Sequence, residues 1–138
     1  MNPPITTTTS SALSEHNSPA ESLHRALAAP PQHPAIYLFQ PQQRLLLASP
    51  RVLLMHGLKQ SESCVAMSRL LSCYLPADSD KLKLALQVAA AIRGCLSLQV
   101  QTKHPEFLIE HKLQKLQYGD HYFLCAQLQI VDFFRNYN

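Results

Sequence analysis

His111 combines a titratable side chain with apolar neighbours within the 138-residue sequence. It lies between Ile109 and Leu113 in a predicted strand, and strand pairing places it opposite Leu128 on the apolar face. Two interpretations are open. The ring is either a neutral core histidine with a hydrogen-bond partner, or a pocket group that binds a ligand or responds to pH, because burial lowers a histidine pKa and a ligand carboxylate raises it.

The acidic and histidine side chains near His111 do not predict a metal site. His104, Glu106 and Glu110 crowd the start of the same strand pair. However, Glu110 and His111 are adjacent in a strand and so point to opposite faces, whereas metal ligands must converge on one point. We therefore expect no metal ion.

Residues that could carry out catalysis or bind a phosphate do not follow a recognised pattern. The sequence suggests no histidine or acidic partner for Ser49 or Ser63, and Ser49 suits the cap of a helix. The three glycines, Gly57, Gly94 and Gly119, fit helix ends or a turn rather than a phosphate-binding loop. We predict no catalytic residues and no enzymatic activity.

The four cysteines form no C-x-x-C pair and are spread over the sequence as Cys64, Cys73, Cys95 and Cys125. In a cytoplasmic chain of this size we expect them to be reduced and packed as small hydrophobic side chains. A redox or metal-binding role is the less favoured alternative.

The composition is that of a small soluble globular domain. Hydrophobic residues make up 46% and charged residues 15%, whereas disordered chains combine high charge with few apolar residues. Twelve basic and nine acidic residues leave a net charge of +3, and the basic residues are scattered, which argues against a nucleic-acid partner. Because the sequence shows neither a membrane span of ~20 apolar residues nor a secretory signal, we expect a cytoplasmic protein without membrane contact.

Three regions are predicted along the chain. Residues 1–17, rich in Thr, Ser and Pro, offer no apolar face and are expected to be a disordered tail. A helix is expected within 18–31, because SPAE opens it as a capping box and a Pro-Pro pair ends it. Residues 32–138 are expected to form the main domain.

The main domain should contain five strands and three helical segments. Periodicity and the Pro and Gly positions predict strands at 36–39, 44–48, 95–103, 107–117 and 121–131. The same signals predict helical segments at 51–56, 61–74 and 80–93, the last capped by Asp78 or Ser79. Since two strands alone are barely stable, all five should form one antiparallel sheet with the helices on one face. The result is an α+β fold of order β-β-α-α-α-β-β-β behind the amino-terminal helix.

The register of the last two strands follows from the turn between them. A two-residue turn at Gly119-Asp120 places Leu113 opposite Ala126 and Ile109 opposite Ile130. The apolar faces of both strands then lie on the same side of the sheet, whereas a slip of one residue would expose one of them.

The order of these elements and several local motifs resemble the PAS sensor family over about residues 36–132. IYLF at 36–39 and LLLA at 45–48 look like the first hairpin of that family. ASPRVLLMHG at 48–57 resembles its strand-to-helix segment, and LPAD at 75–78 resembles the start of its long central helix.

The carboxyl-terminal strand both supports the resemblance and departs from it. Gly119, Tyr122 and the segment 127–132 match the last hairpin of the family, but QIV at 129–131 stands where PAS domains commonly have Asp-Ile-Thr. Because that aspartate often anchors the link to a downstream effector, the departure leaves effector coupling open.

The resemblance implies a cavity between the sheet and the long helix that holds a ligand or is filled by side chains. Haem-binding relatives use a histidine of the long helix, and the segment 80–93 contains none. Flavin photoreceptor relatives place a reactive cysteine in Asn-Cys-Arg-Phe-Leu-Gln, which surrounds neither Cys64 nor Cys73. We therefore expect neither haem nor flavin, and no other cofactor.

The resemblance further implies a non-catalytic sensory or protein-interaction domain in signal transduction. The residues expected to line its ligand pocket are His111, Leu98, Val100, Leu113 and Leu128. An apolar patch at Leu23, Leu27, Phe133 and Phe134 would serve a homodimer or a signalling partner protein. The alternatives are a small α+β enzyme or carrier with a cavity that uses His111 and, last, a secretion-type chaperone, which the basic charge disfavours.

Overall fold

The computed structural model describes residues 34–133, all within a compact unit that spans His33–Asn138. The expected disordered tail at 1–17 and the expected amino-terminal helix at 18–31 lie outside the described residues. Within residues 34–133 the chain forms six strands and three helices.

The elements confirm the predicted α+β class. In chain order they are β1 (Ile36–Gln40), β2 (Leu45–Ala48), α1 (Pro50–Met55), β3 (Cys64–Ala66), α2 (Met67–Leu71), α3 (Pro76–Ala91), β4 (Cys95–Gln101), β5 (Phe107–Tyr118) and β6 (His121–Phe133). The strands form one antiparallel sheet in the order β3-β2-β1-β6-β5-β4.

The sheet has one strand more than the five predicted, because β3 pairs with β2 at one edge. The sequence predicts one or two short helical turns within 61–74, and the structure has one, Met67–Leu71, directly after the strand β3 that was not predicted. Val65 is buried between the exposed Cys64 and Ala66. An alternation of three residues is too short to be distinguished from a helical turn by periodicity.

The predicted register of β5 and β6 is confirmed. Leu113 lies opposite Ala126, Ile109 lies opposite Ile130, and the turn between the strands consists of two residues. The apolar faces of both strands therefore lie on the inner side of the sheet, against the helices.

The long helix α3 begins at Pro76, earlier than the predicted start at Asp80. Pro76 suits the first turn because proline has no N–H to satisfy and its φ is already helical. Asp78, predicted as a possible cap, lies within that first turn, and its carboxylate accepts a hydrogen bond from the Gln101 N–H of β4 at 2.6 Å. This bond ties the start of α3 to the sheet.

The inner face of the sheet packs against α3. The helix buries Leu82, Leu86 and Ala89 at helical spacing, as predicted. Near its end, the Nζ of Lys115 from β5 donates a hydrogen bond to the Ala90 carbonyl at 3.0 Å, where the negative end of the helix dipole favours a cation. The helix is therefore fastened to the sheet at both ends.

Ser49 lies at the N-cap position of α1, as predicted, but its hydroxyl group does not cap the helix. The hydroxyl donates a hydrogen bond to the Pro34 carbonyl and accepts one from the Ile36 N–H, both at 3.1 Å. It therefore fixes the start of β1 beside α1. After α1, Gly57 has φ +70°, the left-handed conformation predicted for the residue that ends this helix.

Candidate functional site

Four buried ring side chains from four segments form a continuous series of hydrogen bonds inside the domain. Tyr37 comes from β1, His56 follows α1, Tyr74 precedes α3, and His111 lies in the middle of β5. Each of them is at most 2% exposed. We call these four side chains, together with the Val52 carbonyl that ends the series, the buried chain.

His111 occupies the centre of the buried chain, since both of its ring nitrogens have partners. Its Nε2 lies 2.8 Å from the hydroxyl oxygen of Tyr74, and its Nδ1 lies 3.3 Å from that of Tyr37. The Tyr74 hydroxyl also contacts Nε2 of His56. Nδ1 of His56 lies 2.6 Å from the Val52 carbonyl oxygen, and this bond completes the series.

The direction of every hydrogen bond in the buried chain follows from the one partner that cannot donate. The Val52 carbonyl only accepts, so Nδ1 of His56 carries a proton and Nε2 of the neutral ring accepts from the Tyr74 hydroxyl. The Tyr74 oxygen then accepts from the Nε2–H of His111, which leaves Nδ1 of His111 to accept from the Tyr37 hydroxyl. Each O–H and ring N–H of the four side chains is thus used once.

Burial keeps the four side chains neutral. It lowers the pKa of His56 to about 4, although the hydrogen bond to the Val52 carbonyl acts in the opposite direction. It lowers the pKa of His111 to about 3, with a smaller contribution from repulsion by His56. Burial also raises the pKa of Tyr37 and of Tyr74. At pH 7 both imidazoles are therefore neutral, as the assigned hydrogen-bond directions require.

A second feature is an open cleft of about 390 Å³ between α2, α3 and the sheet. Its floor consists of apolar side chains that are at most 8% exposed, namely Phe39, Met67, Leu71, Leu86 and Leu124. The other lining residues are Pro41, Arg44, Lys83, Gln87, Ala90 and Tyr122. The volume falls within the range of about 300–1,000 Å³ that is usual for small-molecule sites.

The polar residues among those described that line the cleft can donate hydrogen bonds. Arg44, Lys83, Gln87 and Tyr122 all carry donors, and within residues 34–133 the lining contains no His, Cys, Ser, Asp or Glu. An apolar molecule that carries hydrogen-bond acceptors fits this arrangement. The lining offers no pair of hydroxyl or thiol nucleophile with a histidine or carboxylate base of the kind used in covalent catalysis.

The residues predicted to line a ligand pocket lie together on the inner face of the sheet. Leu98 and Leu128 lie opposite His111 on the two neighbouring strands, and Val100 and Leu113 lie two residues further along β4 and β5. His111, Val100 and Leu113 are fully buried, and none of the five residues lines the cleft. That a ligand contacts them stays a prediction.

Of the residues predicted to form an interaction patch, only Phe133 belongs to the described part of the chain. Leu23, Leu27 and Phe134 lie outside it. The sequence predicts Phe133 just after the last strand, whereas it is the final residue of β6 and pairs with Phe107. The two rings pack edge to face at 5.3 Å, so Phe133 is half-buried.

The sequence did not predict the partners of His111 or the residues that line the cleft, although the family resemblance implied a cavity between the sheet and the long helix. His56 and Tyr74 lie at the end of a short helix and in an irregular segment, and Tyr74 is 37 residues from His111 in the sequence. Periodicity describes regular elements and so cannot bring these side chains together. One signal was available for His56, which follows the apolar residues VLLM and directly precedes Gly57.

The four cysteines are unbridged. The expectation that all of them pack inside the domain is wrong for Cys64 and Cys95, which are exposed.

Within residues 34–133, no three His, Cys, Asp or Glu side chains are grouped closely enough to hold a metal ion. No helix in that part of the chain has the length and apolar character needed to cross a membrane.

Comparison with known proteins identifies similar folds but no sequence family. No family model and no curated protein matches the chain. Among solved structures, an RNA-binding light-oxygen-voltage receptor is similar, with a TM-score of 0.60 at 12% identity. The N-terminal domain of a diguanylate cyclase with a PAS/PAC sensor from Marinobacter aquaeolei has a TM-score of 0.57 at 8% identity. A sensory box histidine kinase/response regulator from Burkholderia thailandensis has a TM-score of 0.54 at 13% identity.

The similarity covers most of this chain but different shares of the three proteins. The match to the receptor covers 70% of this chain and 29% of the receptor. The match to the cyclase domain covers 72% of this chain and 94% of that domain, and the match to the kinase covers 80% of this chain and 82% of the kinase chain. The chain therefore spans less than a third of the length of the receptor. At such low identity the likeness shows the fold alone. To that extent the predicted resemblance is confirmed, and the described part of the chain has the α+β fold of PAS- and LOV-type sensor domains.

Proposed function

We propose that this chain is a non-catalytic sensory domain that binds a small amphipathic molecule in the cleft and signals its presence to a partner protein. The observation that carries the proposal is the cleft itself, an open space of about 390 Å³ above buried apolar side chains. Protein interiors leave few voids larger than a water molecule. An apolar concavity of this size with a few polar groups around it supports a binding role.

The apolar floor supplies the driving force for binding. Because Phe39, Leu71 and Leu86 are already at most 8% exposed, a ligand that covers them chiefly removes its own apolar surface from water, worth about 0.8 kcal/mol for each of its buried methylene groups. The polar groups at the rim then fix the orientation of the ligand. This division suits a molecule with an apolar body and one polar end.

The position of the cleft supports a role in sensing. Phe39 and Leu124 belong to β1 and β6, which are neighbours in the middle of the sheet, while Leu71 and Leu86 belong to α2 and α3. A bound molecule would contact sheet and helices together. Its arrival or loss would therefore alter the spacing between the two layers, which a partner could detect.

The alternative function, an enzyme or carrier that uses His111, has less support. Both ring nitrogens of His111 are engaged by Tyr74 and Tyr37, and a general base must instead reach a proton of the substrate. Among the described residues, the side chains that line the cleft include no histidine or carboxylate either. These observations favour binding without catalysis.

The proposed partner is a second copy of the chain or a signalling protein in the cytoplasm, bound through the predicted patch at Leu23, Leu27, Phe133 and Phe134. Light scattering of the full chain tests this arrangement. Leu23→Ser combined with Leu27→Ser should reduce the molar mass in solution, whereas Leu84→Ser, at a leucine of α3 that is 61% exposed, should leave it unchanged. An unchanged mass for the first variant contradicts the patch as the contact between two copies of the chain.

Binding in the cleft is tested with the neutral fluorescent probe N-phenyl-1-naphthylamine. Ala90 lines the cleft and Ala91, the next residue of α3, is exposed. Ala90→Trp should fill the cleft and weaken binding of the probe at least tenfold, whereas Ala91→Trp should change it less than twofold. Absence of binding to the parent chain, or equal binding by both variants, contradicts the proposed function.

A further inference from the structure

We infer that the molecule bound in the cleft carries an anionic group, held at the rim by Arg44 and Lys83 above the apolar floor. The inference rests on the proposed function and adds the chemical class of the ligand, an organic anion such as a carboxylate or sulfonate with an apolar body. Four observations support it: the charges that line the cleft, their pairing, the backbone of Arg44 and the neighbouring donors.

The charges that line the cleft have one sign. Arg44 and Lys83 are both basic, and the described residues that line the cleft include no acidic side chain to oppose them. They come from different elements, Arg44 from the turn after β1 and Lys83 from α3. An anion in the cleft would meet a positive charge from each element, in a site where the nearby apolar floor limits screening by water.

Neither basic group is strongly engaged by another residue. Within residues 34–133 the Arg44 guanidinium has no ion-pair partner. The Nζ of Lys83 lies 3.8 Å from Oδ1 of Asp80, and the Asp80 side chain is 79% exposed. This ion pair is therefore of the weak surface type. An anionic group can therefore compete with Asp80 for Lys83, and the planar guanidinium of Arg44 can bind a carboxylate through both of its oxygens.

The backbone holds Arg44 at the rim in an unfavourable conformation. Its φ is +56°, in the left-handed region that glycine adopts without strain and other residues rarely adopt. Its N–H donates to the Gln40 carbonyl and its own carbonyl accepts from the Met67 N–H, both at 2.9 Å. A long basic side chain at a position that favours glycine is a local strain of the kind that accompanies functional sites.

Further donors lie beside the two basic groups. Gln87 from α3 and Tyr122 from β6 also line the cleft. The Nζ of Lys115 lies 4.9 Å from the centre of the Tyr122 ring and adds a third positive charge next to the cleft. Positive potential therefore reaches the rim from the turn, the helix and the sheet.

The experiment compares two probes that share one ring system. The first is 1-anilinonaphthalene-8-sulfonate, an anion, and the second is N-phenyl-1-naphthylamine, which lacks the sulfonate. Their affinities are measured for the full chain and for Arg44→Gln combined with Lys83→Gln. The matched control, Lys59→Gln combined with Lys112→Gln, removes the same net charge at two exposed positions outside the cleft.

We expect the Arg44/Lys83 variant to lose at least tenfold in affinity for the sulfonate, about 1.4 kcal/mol, and less than twofold for the neutral probe. The control variant should change either affinity less than threefold, and added salt should weaken only sulfonate binding. Equal losses in both double variants, or an unchanged sulfonate affinity, overturn the anion site while neutral-probe binding still supports the cleft. Binding of neither probe overturns the proposed function as well.

Discussion

The buried chain and the cleft are the two polar regions on the inner side of the sheet, and they differ in how their polar groups are satisfied. In the buried chain, His56, Tyr74 and His111 are enclosed and neutral, and each donor has one acceptor. At the cleft, Arg44 and Lys83 carry charge in contact with solvent and have no strong partner in the described residues. The difference suggests that polarity serves folding in the first region and remains available to a ligand in the second.

Lowering the pH should produce the largest difference between the buried chain and the cleft. The pKa of His56 and of His111 is lowered in the folded state, so the unfolded chain binds more protons below pH 6.5. The stability these neutral rings contribute is complete above that pH and is lost as the pH falls, by up to about 1.4 kcal/mol per pH unit for each histidine. Urea unfolding between pH 6.5 and 4.5 measures this slope.

Two variants control for other acidic effects. His56→Gln keeps a donor and an acceptor but removes one titration, so the slope should fall to about half. His121→Gln, at the exposed first residue of β6, should leave the slope unchanged. A stability that does not vary over this pH range would contradict the neutral buried chain.

The next largest effect is expected at Leu128, which lies opposite His111 and is 8% exposed. Leu128→Ala should lower the free energy of unfolding by about 2–5 kcal/mol, as truncations of core leucines do. Gln127→Ala, on the outer face of the same strand, should change it by no more than about 0.5 kcal/mol. Equal and small effects of the two changes, measured by urea unfolding, would contradict the tight packing around the buried chain.

The two tyrosines of the buried chain should differ in their contribution to stability. Tyr37→Phe leaves one acceptor, Nδ1 of His111, without a partner and should cost about 1–3 kcal/mol. Tyr74→Phe removes the partners of both His56 and His111 and should cost about twice as much. Denaturant unfolding at pH 7.5 tests this order. A larger effect of Tyr37→Phe would show that the Tyr74 hydroxyl does not link the two histidines.

His111→Leu decides between the two interpretations of this residue. If His111 serves the buried chain alone, the change leaves the Tyr37 hydroxyl without its acceptor and lowers stability by about 1–3 kcal/mol, with unaltered binding of N-phenyl-1-naphthylamine. Unchanged stability together with loss of probe binding would instead identify His111 as a ligand-contacting group, as the pocket prediction holds.

The smallest effect is expected at Arg44, on the cleft side of the comparison. Arg44→Gly relieves the left-handed strain but adds flexibility to the unfolded chain, so stability should rise by no more than about 1 kcal/mol. The same change should weaken binding of the anionic probe. A melting temperature that falls by several degrees would show that the arginine side chain serves the fold rather than a ligand.

Sequence patterns predicted the parts of this molecule that repeat regularly. The register of β5 and β6 follows from alternation over long strands and a two-residue turn, and it placed His111 opposite Leu128 correctly. β3 is too short to show alternation, and the predicted start of the long helix at Asp80 leaves out Pro76, which occupies the first turn of α3. Regular strands and helices show a hydrophobic periodicity in the sequence. The ends of these elements depend instead on single contacts, which the periodicity does not reveal.

The candidate site depended on such single contacts. His111 was recognised because a titratable residue on an apolar strand face is unusual, but its partners Tyr37 and Tyr74 come from distant segments. The sequence predicted Arg44 as the first residue of a strand at 44–48, whereas it is the last residue of the turn before β2. Its left-handed φ and its place in the lining of the cleft are details of that turn, which periodicity does not reveal.

The fastening of α3 at both ends has a mechanical consequence. Asp78 is hydrogen-bonded to β4 and the Ala90 carbonyl to Lys115 of β5. Movement of either end of α3 away from the sheet would therefore have to break one of these hydrogen bonds. The width of the cleft is then set by its other wall, the turn at 41–44 and α2, which the Met67 N–H joins to the Arg44 carbonyl. This wall continues directly into β2 and β3. A molecule that widens the cleft would displace that edge of the sheet, while the opposite edge, at β4, stays anchored.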